Sequence, residues 1–329
     1  MAILVVGGAG YIGSHMTAGL VENGIETIVV DSLVKGHRNA VWDGAKFYQG
    51  DILDSTFLDT VFTENKITAV VHFAAYSIVP ESMTDPSMYF SNNVAGTLSL
   101  LTAMKRHGVE MIVFSSTAAV YGMPEAVPIV ETAPESPINP YGESKLMVER
   151  MLKWFDKAYG MRHVVLRYFN VAGAHDSGKI GEDHHPETHL IPIVLQAAAG
   201  KREGIDVFGS DYSTPDGTCI RDYIHVCDLV DAHVLALKAL EGGGKSATYN
   251  LGSGTGFSNL EVVTAAKKVT GIDFAVNMKE RRPGDPDILI ASSDKIIAEL
   301  GWKPTRTNIE NILRTAWAWH SQNPEGFLY

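Results

Sequence analysis

Ile3-Leu4-Val5-Val6-Gly7-Gly8-Ala9-Gly10-Tyr11-Ile12-Gly13 decides the fold of this chain. A short apolar run rich in β-branched residues leads straight into glycines spaced G-x-x-G-x-x-G, and a helix-forming stretch near 12–23 follows. That order predicts a buried strand, a tight turn and a helix. A turn lacking side chains lets backbone N–H groups approach a pyrophosphate, and the helix amino terminus adds partial positive charge. Gly7, Gly10 and Gly13 are therefore candidate cofactor residues. Asp31 closes the next apolar run at the offset where an acid accepts hydrogen bonds from the adenosine ribose. A carboxylate there repels a 2′-phosphate, which favours NAD over NADP. Asp51, after Gly50, suits either the adenine edge or a helix cap before Ile52.

Outward from this fingerprint, short apolar runs at Ile3–Val6, Thr27–Val30, Ala69–Phe73, Met111–Phe114 and Val164–Leu166 alternate with helical stretches near 12–23, 55–64, 86–107 and 142–159. Continuous hydrophobicity over so few residues fits strands buried on both faces, and the alternation implies right-handed crossovers. The expected fold is α/β, a Rossmann-type doubly wound parallel sheet. After Asn170 the texture changes. Residues 172–189 and 209–218 are polar, Gly-rich and aperiodic, as expected of loops over a ligand. Helices are predicted at Asp228–Leu240, Leu260–Thr270 and Thr307–His320. A cofactor domain over 1–170, with a returning segment at about 217–250, is expected to carry a smaller mixed α/β carboxy-terminal substrate lobe from 171–216 and 251–329.

Composition narrows the function. With 38 acidic against 27 basic residues among 329, the formal net charge is −11, which opposes a nucleic-acid partner because phosphate-backbone affinity needs clustered Lys and Arg. Arg281-Arg282 and Lys267-Lys268 are too sparse to form such a surface, and Trp317, Trp319 and Phe327 suit packing of the last helix. Apolar stretches fall short of the roughly 18 residues of a spanning helix, so no membrane partner is expected. Neither Cys219 nor Cys227 sits in a CxxC pair; both are expected as buried thiols in a reducing cytoplasm. The amino terminus lacks a basic n-region and reads as a first strand, not a signal peptide.

The chemistry centres on Tyr141-Gly-Glu-Ser-Lys145, behind the helix-starting Pro140, which places both side chains one turn apart on one helical face. Lowering a phenol three units from its usual value near 10 requires about 4 kcal/mol. An ammonium about 4 Å away at an effective dielectric near 20 supplies on the order of that amount. Ser115-Ser116-Thr117 ends a predicted buried strand, and carboxy-terminal strand ends of a parallel sheet open into the ligand crevice. Thr117 is placed to share a substrate hydroxyl's proton with Tyr141.

GGAGYIGSH at 7–15, VFSSTAAVYG at 113–122, NPYGESKLMVE at 139–149, LRYFNVAGAH at 166–175, RDYIHVCDL at 221–229 and RRPGD at 281–285 follow in one order. With these stretches the chain resembles the extended short-chain dehydrogenase/reductase superfamily, and within it the UDP-glucose 4-epimerase family, along essentially its whole length. The resemblance implies redox epimerisation of UDP-glucose and UDP-galactose through a 4-keto sugar, with NAD tightly bound and regenerated each cycle. Tyr141 is implied as base, Thr117 as its hydrogen-bond partner and Lys145 as holding the nicotinamide ribose. Implied cofactor contacts are Tyr11, Ile12, Asp31, Asp51, Ile52, Phe73, Ala74, Asn92, Ser115 and Phe169. Implied substrate contacts are Asn170, His189, Leu190, Arg221, Arg282 and Asp285, with Leu289 at the gate that decides whether N-acetylated sugars fit. A homodimer through a four-helix bundle, built from residues around 86–107 and 142–159, is implied as well.

The sequence departs from the family pattern at several points. Val6 replaces the threonine before the glycines, Ala75-Tyr76-Ser77 replaces Gly-Leu-Lys, and Thr188-His189-Leu190 replaces Asn-Asn-Leu, which removes diphosphate contacts. His184, His185 and His189 cluster, but Pro186 interrupts them and the chemistry needs no metal, so a mobile substrate loop is expected and a metal site is not. Rival functions are a nucleotide-sugar 4,6-dehydratase, a reductase with exchangeable cofactor and a dinucleotide sensor. A dehydratase needs an acid and a base directly after the serine/threonine position, where this chain has Ala118 and Ala119. A sensor has no use for Tyr141, Lys145 and Thr117 together. Other UDP-sugars, namely N-acetylhexosamine, uronate or pentose, remain alternative substrates.

Overall fold

The computed structural model describes residues 2–282 and 285–327. Its strands are β1 (Ala2–Val6), β2 (Glu26–Asp31), β3 (Lys46–Gln49), β4 (Ile67–His72), β5 (Met111–Thr117), β6 (Arg162–Tyr168), β7 (Asn170–Ala172), β8 (Gly204–Phe208), β9 (Ile220–His225), β10 (Ala247–Leu251), β11 (Gly256–Ser258), β12 (Ala275–Lys279) and β13 (Ile288–Leu289). The α-helices are α1 (Tyr11–Glu22), α2 (Ser55–Glu64), α3 (Val79–Thr84), α4 (Pro86–Tyr89), α5 (Gly96–Arg106), α6 (Pro140–Tyr159), α7 (Leu190–Ala198), α8 (Val226–Glu241), α9 (Asn259–Thr270), α10 (Asp294–Leu300) and α11 (Ile309–Gln322).

Seven parallel strands form the large sheet in the order β10-β6-β5-β4-β1-β2-β3. The five predicted strands occupy its centre, from β6 to β2. Alternation along β1 distributes its side chains between two cores: Ile3 and Val5 pack with Met16 and Leu20 of α1 and Leu229 and Leu237 of α8, whereas Leu4 and Val6 pack with Leu58 of α2, Leu100 of α5 and Val148 of α6. Burial on both faces explains why these strands read as unbroken apolar runs. The strand order turns back at β1, where β2 and β3 lie to one side and β4, β5 and β6 to the other, and such a switch point opens a ligand crevice.

A second sheet gathers around β9, which pairs antiparallel with β11 and parallel with β13 and β7. A parallel β8–β12 pair completes the smaller part. Ile191 and Val194 of α7, Val262 of α9 and Ile312 and Leu313 of α11 supply its core. The single helix predicted over 86–107 is α4 and α5 joined by a π-helical stretch, Phe90–Ala95. Among the described residues, no helix is long and apolar enough to cross a membrane.

Candidate active site

The predicted cofactor residues meet at the carboxy-terminal ends of adjacent strands. The glycine turn leaves β1, Asp31 ends β2, Phe73 follows β4, Ser115 and Thr117 end β5, and Phe169 and Asn170 follow β6. Gly7 has φ +82°, and a Cβ there would lie 2.5 Å from the Ala74 nitrogen; a Cβ on Gly13 would lie 2.0 Å from the Gly7 oxygen. Both positions therefore exclude any larger residue. Gly10 differs. A Cβ on it would meet only the Gly7 oxygen, at 3.5 Å, so this face of the turn is open. Gly10 precedes α1, whose amino terminus carries no side-chain cap and no acid in its first turn. An uncapped helix end beneath an open glycine fits a pyrophosphate. Asp31 Oδ2 accepts from Ala9 N–H at 2.9 Å and its Oδ1 from Leu33 N–H at 2.8 Å. Burial pushes this carboxyl up, and the two backbone donors draw it back.

Tyr11 donates to the Gly173 oxygen at 2.6 Å and so ties the turn to the chain leaving β7. Phe73 and Ala74 donate their N–H groups to the Val6 oxygen, and the Phe73 ring lies 4.8 Å from that of His233. Ile52 is buried, while Asp51 is exposed and accepts from Leu53 N–H; the cap before α2 is Asp54. Asn92 lies in the π-helical stretch and donates to Asn93.

Asn139 caps α6 by accepting from Gly142 N–H at 2.8 Å, which sets the rotation of the helix and thus of Tyr141 and Lys145. Lys145 Nζ donates to the Ser115 oxygen at 2.8 Å and lies over the Phe114 ring. Burial pushes the Lys145 ammonium down to about 7, against the opposing pull of Glu149 one turn on. Burial also pushes the Tyr141 phenol up, and a hydrogen bond with Thr117 draws it partly back. Lys145, desolvated and bonded to a carbonyl, is not among the groups that shift the phenol here, and the sequence reading counts on the positive nicotinamide ring as well. Thr117 is buried and its Oγ1 accepts from Ala119 N–H at 3.1 Å, starting the turn Ala118–Tyr121.

Residues outside the predicted set hold this centre. Glu149 is fully buried, accepts from Ser116 Oγ at 2.6 Å and pairs with the buried Arg167, which also reaches Glu135 and Tyr121. Asn93 grips both backbone groups of Tyr76 and donates to Ser144 Oγ at 3.0 Å, beside Lys145 on α6. A charged pair spaced as Lys145 and Glu149 on an otherwise apolar helix face is the signal that marks Glu149 in the sequence.

On the substrate side, Arg221 is paired with Asp285 and lies opposite Leu289 in the β9–β13 register. Leu289 packs with Phe169 against a small cluster containing Val120 and Leu146. Asn170 donates to the Asp222 oxygen at 3.0 Å. Arg282 is exposed over the Phe208 ring, and Pro283 and Gly284 of the same stretch lie outside the described residues. Leu190 is half-buried at the start of α7. His189 is turned to Glu182 and Glu187, with Nδ1 2.7 Å from Glu182 Oε1 and 3.4 Å from Glu187 Oε1.

An open glycine turn at a strand switch point, with Tyr141 and Lys145 held at the end of β5, sets the site against known proteins. The model of the NAD dependent epimerase/dehydratase family matches residues 3–252. The chain belongs to this family. Family members similar to it include the UDP-glucose 4-epimerases of Streptococcus mutans, 60% identical over 329 residues, and Lacticaseibacillus casei, 58% identical over 327; each alignment covers 99% of both chains. The solved UDP-glucose 4-epimerase of Bifidobacterium longum, in complex with NAD+ and UDP, superposes with a TM-score of 0.94 at 40% identity, covering 99% of this chain and 100% of that one.

Proposed function

We infer that the protein interconverts UDP-glucose and UDP-galactose as an NAD-dependent isomerase. The observation that carries this is the convergence of Tyr141, Thr117 and Lys145 on the carboxy-terminal end of β5, two strands from the open glycine turn. The Gly7–Gly13 turn would hold the NAD pyrophosphate and Asp31 the adenosine ribose. Bound NAD supplies a hydride acceptor and donor for C4 and a positive ring charge.

Tyr141 Oη removes the proton of the sugar 4-hydroxyl, with Thr117 holding the same hydroxyl by a hydrogen bond. Oxidation leaves a 4-keto sugar, which turns about its diphosphate linkage and offers its other face. Tyr141 then returns the proton, so configuration is inverted and the phenol is restored. Arg221 and Arg282 would serve as charge-assisted partners for the diphosphate, and Asp285 as an acceptor for the uridine ribose. Ala118 and Ala119 carry no transferable proton, which opposes dehydration.

A homodimer is proposed through α5 and α6. Leu98 on α5 and Met147 and Trp154 on α6 are exposed, Trp154 by 66%, and the two helices pack side by side. Cys219 and Cys227 are free thiols, in keeping with the reducing cytoplasm proposed for the protein; Cys219 is buried as expected, whereas Cys227 is only half-buried.

The test is incubation of purified protein with UDP-galactose, without added cofactor, while the C4 configuration is followed by NMR. UDP-glucose is expected to appear. If none forms even after NAD is added, plain UDP-hexoses are the wrong substrates.

A further inference from the structure

The segment between β7 and α7 brings together four side chains that no step above uses. Glu182, His184, Glu187 and His189 each offer one ligating atom, and the four atoms lie within 4.8 Å of one another. His184 Nδ1 is 3.3 Å from Glu182 Oε1 and 3.8 Å from Glu187 Oε2, while His189 Nδ1 is 2.7 Å from Glu182 Oε1 and 3.4 Å from Glu187 Oε1. Bonds of about 2.1 Å to a tetrahedral ion place neighbouring ligand atoms about 3.4 Å apart, and these separations bracket that value.

The contacts are not simply hydrogen bonds. Glu182 is 4% exposed, and neither its Oε1 nor His184 Nδ1 has a hydrogen-bond partner although both atoms are buried. Atoms this close, two of them buried without an aligned partner, leave lone pairs for a shared cation. A cavity of about 130 Å³ lined by Glu182, His184, Glu187 and Trp319 gives access to them.

We propose that Glu182, His184, Glu187 and His189 bind one divalent transition-metal cation, zinc in the first place. Two imidazoles and two carboxylates match the donor preference of zinc, and two carboxylates balance its charge. The proposal departs from the sequence expectation of a metal-free loop on one ground: His184 and His189 meet across a turn of the chain beside two glutamates, instead of lying along one helix. The His184 ring lies 6.3 Å from that of Tyr11, and the neighbouring Asp183 oxygen contacts His37 at 3.1 Å. The ion thereby pins the loop after β7 against the glycine turn. Its role is positioning, since none of the four ligands touches the reacting atoms.

The experiment strips the full-length protein, with its NAD retained, by chelator dialysis and then titrates it with Zn2+ and with Co2+ as a spectroscopic probe. One equivalent of zinc per chain by elemental analysis and the visible bands of four-coordinate cobalt are expected. The double substitution His184→Ala, His189→Ala is expected to keep the native circular dichroism and weaken binding by more than the 10–100-fold typical of losing an outer-shell partner. His185→Ala is the control; that imidazole reaches Asp183 outside the cluster, so binding should persist. Stoichiometric binding lost only in the double variant supports the proposal. No stoichiometric binding in the wild type, binding unchanged in the double variant, or equal loss in His185→Ala overturns it.

Discussion

Tyr141 and Lys145 show how little of a catalytic pKa is settled by sequence spacing. One helical turn separates them, as expected, but burial raises the phenol and depresses the ammonium to about 7. Tyr141→Phe removes only the proton-transferring oxygen, so turnover is expected to fall by at least about 100-fold, the usual scale of acid–base assistance, while the purified protein still releases NAD on denaturation. Retained activity would point to another base. Glu149 favours the charged form of Lys145, so Glu149→Gln lets the lysine deprotonate at lower pH. The alkaline limb of the kcat/KM profile should move to lower pH by on the order of one unit. An unmoved limb would show that Lys145 is not the group titrating there. Thermal stability should fall as well, because Arg167 loses a buried partner.

At the scale of elements, legibility followed burial. The five central strands were readable because both faces of each are covered, which forces an unbroken apolar run. β3 was not: Lys46-Phe47-Tyr48-Gln49 is a half-exposed edge with charged and polar ends. β7, β11 and β13 are two or three residues long, too short for any period, and are held by β9 and not by their own composition. The glycine turn was legible because sterics fix it locally. The four-ligand cluster was half legible: its histidines stand out in sequence, but Glu182 and Glu187 look like ordinary surface acids until the chain folds back. Gly13→Ala drives a Cβ into the Gly7 oxygen, so the turn must open. We expect the NAD content of the purified variant to drop more than about tenfold, although glycine-to-alanine in an unstrained helix stabilises by roughly 0.5–1 kcal/mol. Unchanged NAD content would place the pyrophosphate elsewhere.

For the whole molecule, four buried histidines predict acid sensitivity. Burial pushes His15 and His72 down to about 3 and His225 and His233 down to about 4. Their folded values lie below the ordinary 6.5, so the unfolded chain takes up protons first. The stability they contribute is present above pH 6.5 and is lost as pH falls toward 4 and then 3. Each histidine costs up to about 1.4 kcal/mol per pH unit in that window. Urea midpoints measured from pH 7 to pH 5 should therefore fall steeply; a flat series would mean that these rings gain protons without penalty in the folded state. The proposed dimer is tested at the same scale. Trp154→Glu on α6 places a charge in the interface and should yield monomers by sedimentation at concentrations where the parent chain is dimeric, and a persisting dimer would move the interface elsewhere.

The neighbour of β6 in the large sheet, β10, arrives from residues 247–251, after β7, β8 and β9 have gone to other sheets. Synthesis from the amino terminus therefore delivers six strands of that sheet early and leaves β6, Arg162–Tyr168, with one bare backbone edge while the next stretch of chain is made. Leu229 and Leu237 of α8, which cover one face, are also still missing. A nascent or truncated chain ending near residue 170 presents a hydrophobic strand with one unpaired edge beside an uncovered apolar layer, the combination that recruits other chains. The two parts of this molecule are interleaved in translation order, and cutting the chain once cannot give back two soluble halves.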